Sequence, residues 1–431
     1  MYWQEELETL DREQLAGIQL KGLQKTVANC YENVPYYREK LSRLGIHPSD
    51  IKTLDDVRKL PFTKKSELRD NYPYGLFARP IKEMVRIHGS SGTTGKPTIV
   101  GYTRHDLDIW SDCVARVVSA AGATSGDVVQ IAFGYGLFTG ALGLHQGLEK
   151  IGATVIPMSA GNTEKQLMLM EDLGVTGLVA TPSYALYLSE VAKQKGIVDR
   201  LKLKVGFLGA ESCTPEMRAQ IEANFGIIAT DNYGMSELTG PGVSGECICR
   251  DGLHIWEDHF LPEIIDPATG ENLPEGSYGE LVITPLFKEG LPLLRYRTGD
   301  ITRLNYAPCP CGRTHVRMDK VCGRSDDMIV IKGVNVFPSQ IESVLLTISH
   351  IGPHYLLILT RENFMDYLEV QVELCDGTLL ERYGELEALR KTIRERLHSV
   401  LGLDARVKLV DPNTIERFQG KAKRVVDHRY E

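Results

Sequence analysis

The stretch Gly89-Ser90-Ser91-Gly92-Thr93-Thr94-Gly95-Lys96-Pro97-Thr98 sets three glycines and a lysine among small hydroxyl side chains, just after a strand expected over Met84 to Ile87. Glycine lets the backbone turn so that successive N–H groups converge on an anion. The Ser and Thr hydroxyls add donors and Lys96 adds a mobile positive charge, which together make a phosphate cradle. The P-loop pattern G-x-x-x-x-G-K-[ST] does not fit: five residues separate Gly89 from Gly95, and Pro97 follows Lys96. Proline disfavours the α conformation at Lys96, so this lysine does not open a helix as the P-loop lysine does. A Gly/Ser/Thr surface turn between two strands is the plain alternative.

At 431 residues the chain exceeds one ordinary domain and predicts two or more units with ample core. Lys and Arg number 49 against 57 Asp and Glu, a net charge of −8 that argues against nonspecific nucleic-acid binding and against docking on anionic membranes. No apolar run reaches transmembrane length, and Met1 to Glu6 form neither a basic nor an apolar signal region, so a cytoplasmic protein is expected. Nine cysteines at uneven spacing do not resemble a secreted disulfide framework.

Outward from the glycine-rich stretch, residues 11–45 read as amphipathic helix interrupted at Pro35, suited to packing or a dimer contact. Arg104 to Ala121 reads as a helix and Val128 to Ala132 as a buried strand. Phe133-Gly134-Tyr135-Gly136-Leu137-Phe138-Thr139-Gly140 then follows a strand but has Thr139 where a dinucleotide fingerprint needs glycine. Glycines interleaved with aromatics at a strand end fit an apolar pocket wall, with plain core packing as the alternative. Residues 152–230 alternate strand and helix: Thr154 to Pro157, a helix with a Thr163/Gln166 capping box, Gly177 to Thr181, a helix from Ser183, Leu203 to Leu208, a helix entered by Thr214-Pro215, and Ile227 to Ala229. That alternation predicts an α/β fold with a parallel sheet flanked by helices, and ligands bind such sheets outside the carboxyl ends of the strands. Two polar clusters fall there: Gly209-Ala210-Glu211-Ser212 and Asp231-Asn232-Tyr233-Gly234-Met235-Ser236-Glu237. Residues 245–325 are richer in short strands and turns, and a small α/β unit follows, with a strand at Met328 to Ile331, a helix from about Pro338 and a long helix over Leu379 to Leu403.

In this order the motifs resemble the adenylate-forming superfamily of acyl-CoA synthetases, luciferases and peptide-synthetase adenylation domains over nearly the whole chain. The likeness is closest to the phenylacetate–CoA ligase family, through residues 133–140, Asn232 to Glu237, Ile255-Trp256-Glu257-Asp258-His259-Phe260, Arg295-Tyr296-Arg297-Thr298 and Lys332-Gly333-Val334-Asn335-Val336-Phe337-Pro338. The resemblance implies a large N-terminal domain, residues 1–325, and a small mobile domain, residues 326–431, hinged at Asp326. It implies that Ser90, Ser91, Gly92, Thr93, Thr94, Gly95 and Lys96 hold ATP phosphates. Gly209, Ala210, Glu211, Asp231, Asn232, Tyr233, Gly234, Met235 and Ser236 would line the nucleotide site. Glu237 would help hold Mg²⁺, for which a hard oxygen ligand is suited. Asp300 would accept from the ribose hydroxyls, Arg324 would lie near ribose and phosphate, and Lys421 would stabilise charge during adenylation. Tyr135, Phe138, Ala210 and Met235 would face the acyl group. Arg295 and Arg297 fit structural ion pairs equally well and carry no assigned role.

The implied reaction is ATP-dependent activation of an aryl acid, phenylacetate first, to acyl-AMP, then transfer to coenzyme A. Transfer to a carrier-protein pantetheine thiol, or a non-catalytic nucleotide-binding relative, would share much of the pattern. The partners expected are the acid, ATP and CoA, in a homodimer, with no nucleic acid and no membrane.

Cys309-Pro310-Cys311 places two thiols on a tight turn, with Cys247, Cys249 and His254 some sixty residues earlier and His315 just beyond. Cys and His from two paired segments suit a tetrahedral structural Zn²⁺, and Cys247, His254, Cys309 and Cys311 are the expected ligands, with Cys249 and His315 in reserve. Free buried thiols or a redox pair are the alternatives.

Overall fold

The computed structural model describes residues 1–90, 97–324, 329–331, 334–362, 365–417 and 424–429. They form two compact units. One comprises Met1–Ala180, Ile197–Ala210 and Ile227–Lys320; the other comprises Thr181–Gly196, Glu211–Gly226 and Val321–Glu431. No helix among the described residues is long and apolar enough to cross a membrane.

The first unit is built on a nine-stranded sheet ordered Leu304–Asn305, Arg317–Met318, Leu253–Ile255, Gly240–Glu246, Ile228–Met235, Val205–Gly209, Gly177–Ala180, Val128–Ile131, Thr154–Ile156. From Ile228–Met235 to Thr154–Ile156 the pairs are parallel, as the strand–helix alternation predicts. Their buried runs, such as Leu178, Val179, Phe207 and Leu208, are apolar on both faces because helices cover parallel sheets. Beyond Ile228–Met235 the pairing turns antiparallel, so the sheet is mixed.

Three local expectations are corrected. The strand expected to stop at Ala229 runs to Met235, because Gly240–Glu246 returns beside it and pairs with its polar half. The two backbones approach so closely that a Cβ on Gly234 would lie 1.8 Å from the Gly240 carbonyl oxygen. No side chain could fit there. The helix Thr163–Asp172 is capped by Asn162, in a left-handed conformation with φ 52°, whose side chain accepts from Lys165 N–H. Gln166 does not complete a capping box; it is buried and bonded to Gln130. Gly89 and Ser90 lie in a strand, Arg86–Ser90, paired antiparallel with Thr98–Tyr102, rather than beyond a strand ending at Ile87.

Phe260–Ile265, Gly279–Pro285 and Tyr296–Thr302 form an antiparallel sheet in that order. Here Arg295 and Arg297 find structural partners. Arg295 grips Glu263 through two bonds of 3.0 and 2.8 Å, lies 4.1 Å from the Phe62 ring centre and donates to the Arg58 and Leu60 carbonyls. Arg297 pairs with Glu280. Removing Glu263 leaves a buried guanidinium without its counter-ion. Glu263→Ala is therefore expected to cost about 3–5 kcal/mol in urea unfolding, and an unchanged midpoint would refute this.

The second unit carries a four-stranded sheet ordered Arg406–Val410, Met365–Leu374, Ile351–Glu362, Val425–Asp427. Helices Pro338–Leu345 and Tyr383–Leu401 share its core, which includes Leu357, Val370, Ile393 and Leu397. The long helix is shorter than expected, since Gly377–Glu381 is a separate 3-10 turn and left-handed Gly402 ends it. Thr214 and Pro215 do open a helix, Pro215–Phe225, as N-cap and first residue.

Candidate functional site

Strands Arg86–Ser90 and Thr98–Tyr102 pair in the register Ser90↔Thr98, so they deliver the chain directly into and out of residues 91–96. Ser91, Gly92, Thr93, Thr94, Gly95 and Lys96 lie outside the described residues, as do Asp326 and Lys421. Ser90 itself is buried, and its hydroxyl donates to Glu237 at 3.2 Å. Glu237 is only 2 % exposed, with Lys65 Nζ 3.5 Å from its carboxylate. Ser90, at the end of the strand that leads into the expected phosphate stretch, and the expected metal ligand are thus in direct contact, although they come from distant parts of the chain.

Ile228–Met235 places Asp231 to Met235, expected to line the nucleotide site, along one strand. Asn232 pairs with Gly209 and sends its side-chain amide to the Leu208 carbonyl at 2.6 Å. The Asp231 N–H donates to Glu246. The Tyr233 hydroxyl donates to Asp300 at 2.6 Å, and the Asp300 N–H is held by Thr298 Oγ1. A carboxylate fixed in this way suits recognition of paired hydroxyls. Ala210, with φ 70°, turns the chain away from the strand end, and Met235 and Gly234 are paired with Gly240 and Pro241. Ser236 meets Thr139 hydroxyl to hydroxyl at 3.0 Å. In the second unit, Glu211 accepts from Ser183 at 2.6 Å, and Arg324 lies on the short strand Gly323–Arg324.

In the expected acyl wall, Tyr135 and Phe138 are both half-buried. Phe138 stacks on Phe133, with ring centres 5.9 Å apart. The Tyr135 hydroxyl meets His145 Nδ1 at 2.9 Å, and His145 Nε2 is 3.0 Å from Glu149. Burial raises the Tyr135 phenol pKa, so it stays neutral at physiological pH.

The Cys/His set converges. The ligand atoms of Cys247, His254, Cys309 and Cys311 all lie within 4.8 Å of one another. The Cys247–Cys309 sulfurs are 3.7 Å apart, and Cys311 Sγ lies 3.5 Å from His254 Nε2. A tetrahedral centre with zinc bond lengths places two sulfurs about 3.8 Å apart and a sulfur and nitrogen about 3.6 Å apart. The donor set fits zinc, and the cysteines are free thiols, not disulfides. His254 Nδ1 faces the His315 carbonyl at 3.4 Å, the kind of partner that would orient this imidazole were it to ligate a metal. Hydrogen bonding from Cys247, then from His254, holds the Cys311 thiol far below its usual range, while Cys247 is pushed up. The two reserves fall away: Cys249 is exposed, and the His315 ring accepts from Glu257 N–H and faces the Leu7 carbonyl.

Lys65, Lys288 and His145 escape the sequence reading because each is a lone residue outside any motif. Lys288 donates to the Glu237 carbonyl at 2.9 Å, and burial pushes its ammonium down to about 8 against the pull of Asp106 and Glu237.

A family model described as AMP-binding enzyme matches residues 53–285, and one described as AMP-binding enzyme C-terminal domain matches residues 333–429. The chain is 48% identical to a phenylacetate-coenzyme A ligase of Thermus thermophilus, with 100% of both chains covered. It is 48% identical to that of Escherichia coli over 98% of this chain and 97% of the other. Among solved structures, 2-hydroxyisobutyryl-CoA ligase in the postadenylation state with 2-HIB-AMP matches with a TM-score of 0.93 and 32% identity, covering 99% of this chain and 92% of that one.

Proposed function

The chain belongs to the AMP-binding enzyme family, the adenylate-forming enzymes, and on that premise we propose that it is an AMP-forming phenylacetate–CoA ligase. Full-length identity to phenylacetate ligases is the observation that carries the substrate. In the first half-reaction a carboxylate oxygen of the acid bonds to the α-phosphorus of ATP, and the bridging bond to pyrophosphate breaks. In the second the CoA sulfur bonds to the acyl carbonyl carbon and AMP leaves. Such catalysis is largely positioning and electrostatics.

Asp300, steadied by Tyr233, orients the ribose, and Asn232 and its neighbours line the base. Ser90 and the glycine-rich stretch that follows it clamp the leaving pyrophosphate. Glu237 would hold Mg²⁺, which neutralises phosphate charge when bound. Lys421 neutralises charge building on the carboxylate and α-phosphate. Asp326 is the proposed hinge between residues 1–325 and 326–431, so that Lys421 serves the first half-reaction and withdraws for the second. Tyr135, Phe138, Ala210 and Met235 face the aryl group. Cys247, His254, Cys309 and Cys311 would hold a structural zinc, with no part in the chemistry. We propose a cytoplasmic homodimer; nine cysteines with no disulfide among them and the use of ATP and CoA support the cytoplasmic location.

The test is AMP release with ATP and CoA across aryl and aliphatic acids. Phenylacetate should give the highest kcat/KM, about 10-fold or more above an aliphatic acid of similar length. A preference for aliphatic acids would overturn the substrate assignment, and failure to use free CoA would overturn the ligase.

A further inference from the structure

The turn that presents Glu237 is held from behind by two buried side chains. Lys288 Nζ donates to the carbonyls of Glu237 and Leu238 at 2.9 and 2.5 Å. The Tyr102 hydroxyl lies 3.1 and 3.0 Å from the carbonyls of Ser236 and Thr239, a shared donor. Four consecutive carbonyls, from Ser236 to Thr239, are therefore capped by two side chains, and the ammonium sits 5.2 Å from the Tyr102 ring centre. The turn also closes on itself, with the N–H groups of Leu238 and Thr239 donating to the Met235 carbonyl.

Lys288 is itself held firmly. The Leu286 N–H donates to the His259 carbonyl, and the N–H groups of Glu289 and Gly290 donate to the Asp106 carboxylate at 2.7 and 2.9 Å. Asp106 in turn belongs to the capping box of Arg104–Ala120. The lysine is only 4 % exposed. A buried ammonium is costly unless satisfied, and an apolar chain of the same length would fill the volume without that cost. What the ammonium adds is the fixed path of the Glu237 backbone. It bonds to the backbone carbonyl, while the carboxylate contacts Ser90 and Lys65.

We propose that Lys288, with Tyr102, is a positioning residue for the first half-reaction: it fixes the Ser236–Thr239 turn so that the Glu237 carboxylate is preorganised for the metal–nucleotide. This rests on the reading of Glu237 as a metal ligand. Partners that orient a ligating carboxylate change metal affinity by about 10- to 100-fold when removed.

The variants are Lys288→Met and Tyr102→Phe, the second keeping the ring should the first not fold. Three readings are compared with the wild type: amide hydrogen exchange at residues 236–240 in nucleotide-free protein, Mn²⁺ affinity by electron paramagnetic resonance with a non-hydrolysable ATP analogue, and the two half-reactions. Exchange is expected to accelerate at residues 236–240 and not across the parallel strands. Mn²⁺ affinity should fall about 10- to 100-fold for Lys288→Met, with the same direction for Tyr102→Phe. Acid-dependent pyrophosphate exchange should fall with it, while thioester formation from supplied acyl-AMP is retained. Unchanged Mn²⁺ affinity, or equal losses in both half-reactions with exchange accelerated throughout, overturns the proposal. A wild type that lacks acid-dependent pyrophosphate exchange would instead overturn the ligase reading.

Discussion

Lys421→Ala is expected to lower acid-dependent pyrophosphate exchange about 1,000-fold, roughly 4 kcal/mol of lost transition-state stabilisation. Conversion of supplied acyl-AMP and CoA to thioester should continue at close to the wild-type rate, because the proposed role of the lysine is confined to the step in which charge builds on the α-phosphate. The described residues on either side of 418–423 are well anchored in the second unit. Arg417 grips Glu373 through bonds of 2.8 and 2.6 Å, and Arg424 pairs with Glu342 at 3.5 Å and covers the Tyr355 ring at 4.5 Å. The chain then enters Val425–Asp427, parallel to Ile351–Glu362. Arg424 is thus a structural anchor and Lys421 the candidate for chemistry, so Lys423→Ala, which removes a neighbouring charge, should leave exchange close to normal. Equal losses in the two half-reactions, or no loss in exchange, would remove Lys421 from the mechanism.

Metal analysis of protein purified without chelators should find one zinc per chain, and Cys309→Ser should release it. Structural zinc contributes on the order of 10 kcal/mol of folding free energy in small domains. A loss of even about 3 kcal/mol moves the melting temperature by roughly 5 °C in a unit of this size. The effect should spread to the N-terminus, because the loop around Cys311 holds it. Tyr2 donates to the Cys311 carbonyl at 2.5 Å, Arg313 binds Glu8 and the Met1 carbonyl at 2.7 and 2.6 Å, and the His315 ring meets the Leu7 carbonyl. Chelation should therefore expose residues 1–12 to limited proteolysis before the parallel sheet melts. Zinc well below one per chain, together with a melting temperature insensitive to chelators, would refute the site.

Features governed by local chemistry were legible in the chain. Thr214-Pro215 opens a helix because the cap hydroxyl and the fixed proline φ act within one turn. Apolar four-residue runs between helices become parallel strands for the same kind of reason. The zinc candidates were legible from donor type alone, though their convergence depends on the pairing of Leu253–Ile255 with Arg317–Met318. Where an element's fate depends on a distant partner, local rules misjudged it. Ile228–Met235 continues through a polar stretch because Gly240–Glu246 returns beside it, and Thr163 loses the cap position to a left-handed Asn162.

The candidate site divides along the same line. Residue types, motif order and the failed P-loop match identify the family and supply the candidate nucleotide residues, since glycines, hydroxyls and carboxylates must be present in the chain for that chemistry to occur. The Tyr233–Asp300 bond, the Ser90–Glu237 contact and the Lys288–Tyr102 support exist only once distant segments are packed. A single buried lysine has no sequence signature: its meaning lies in which carbonyls it meets, and long-range packing decides that.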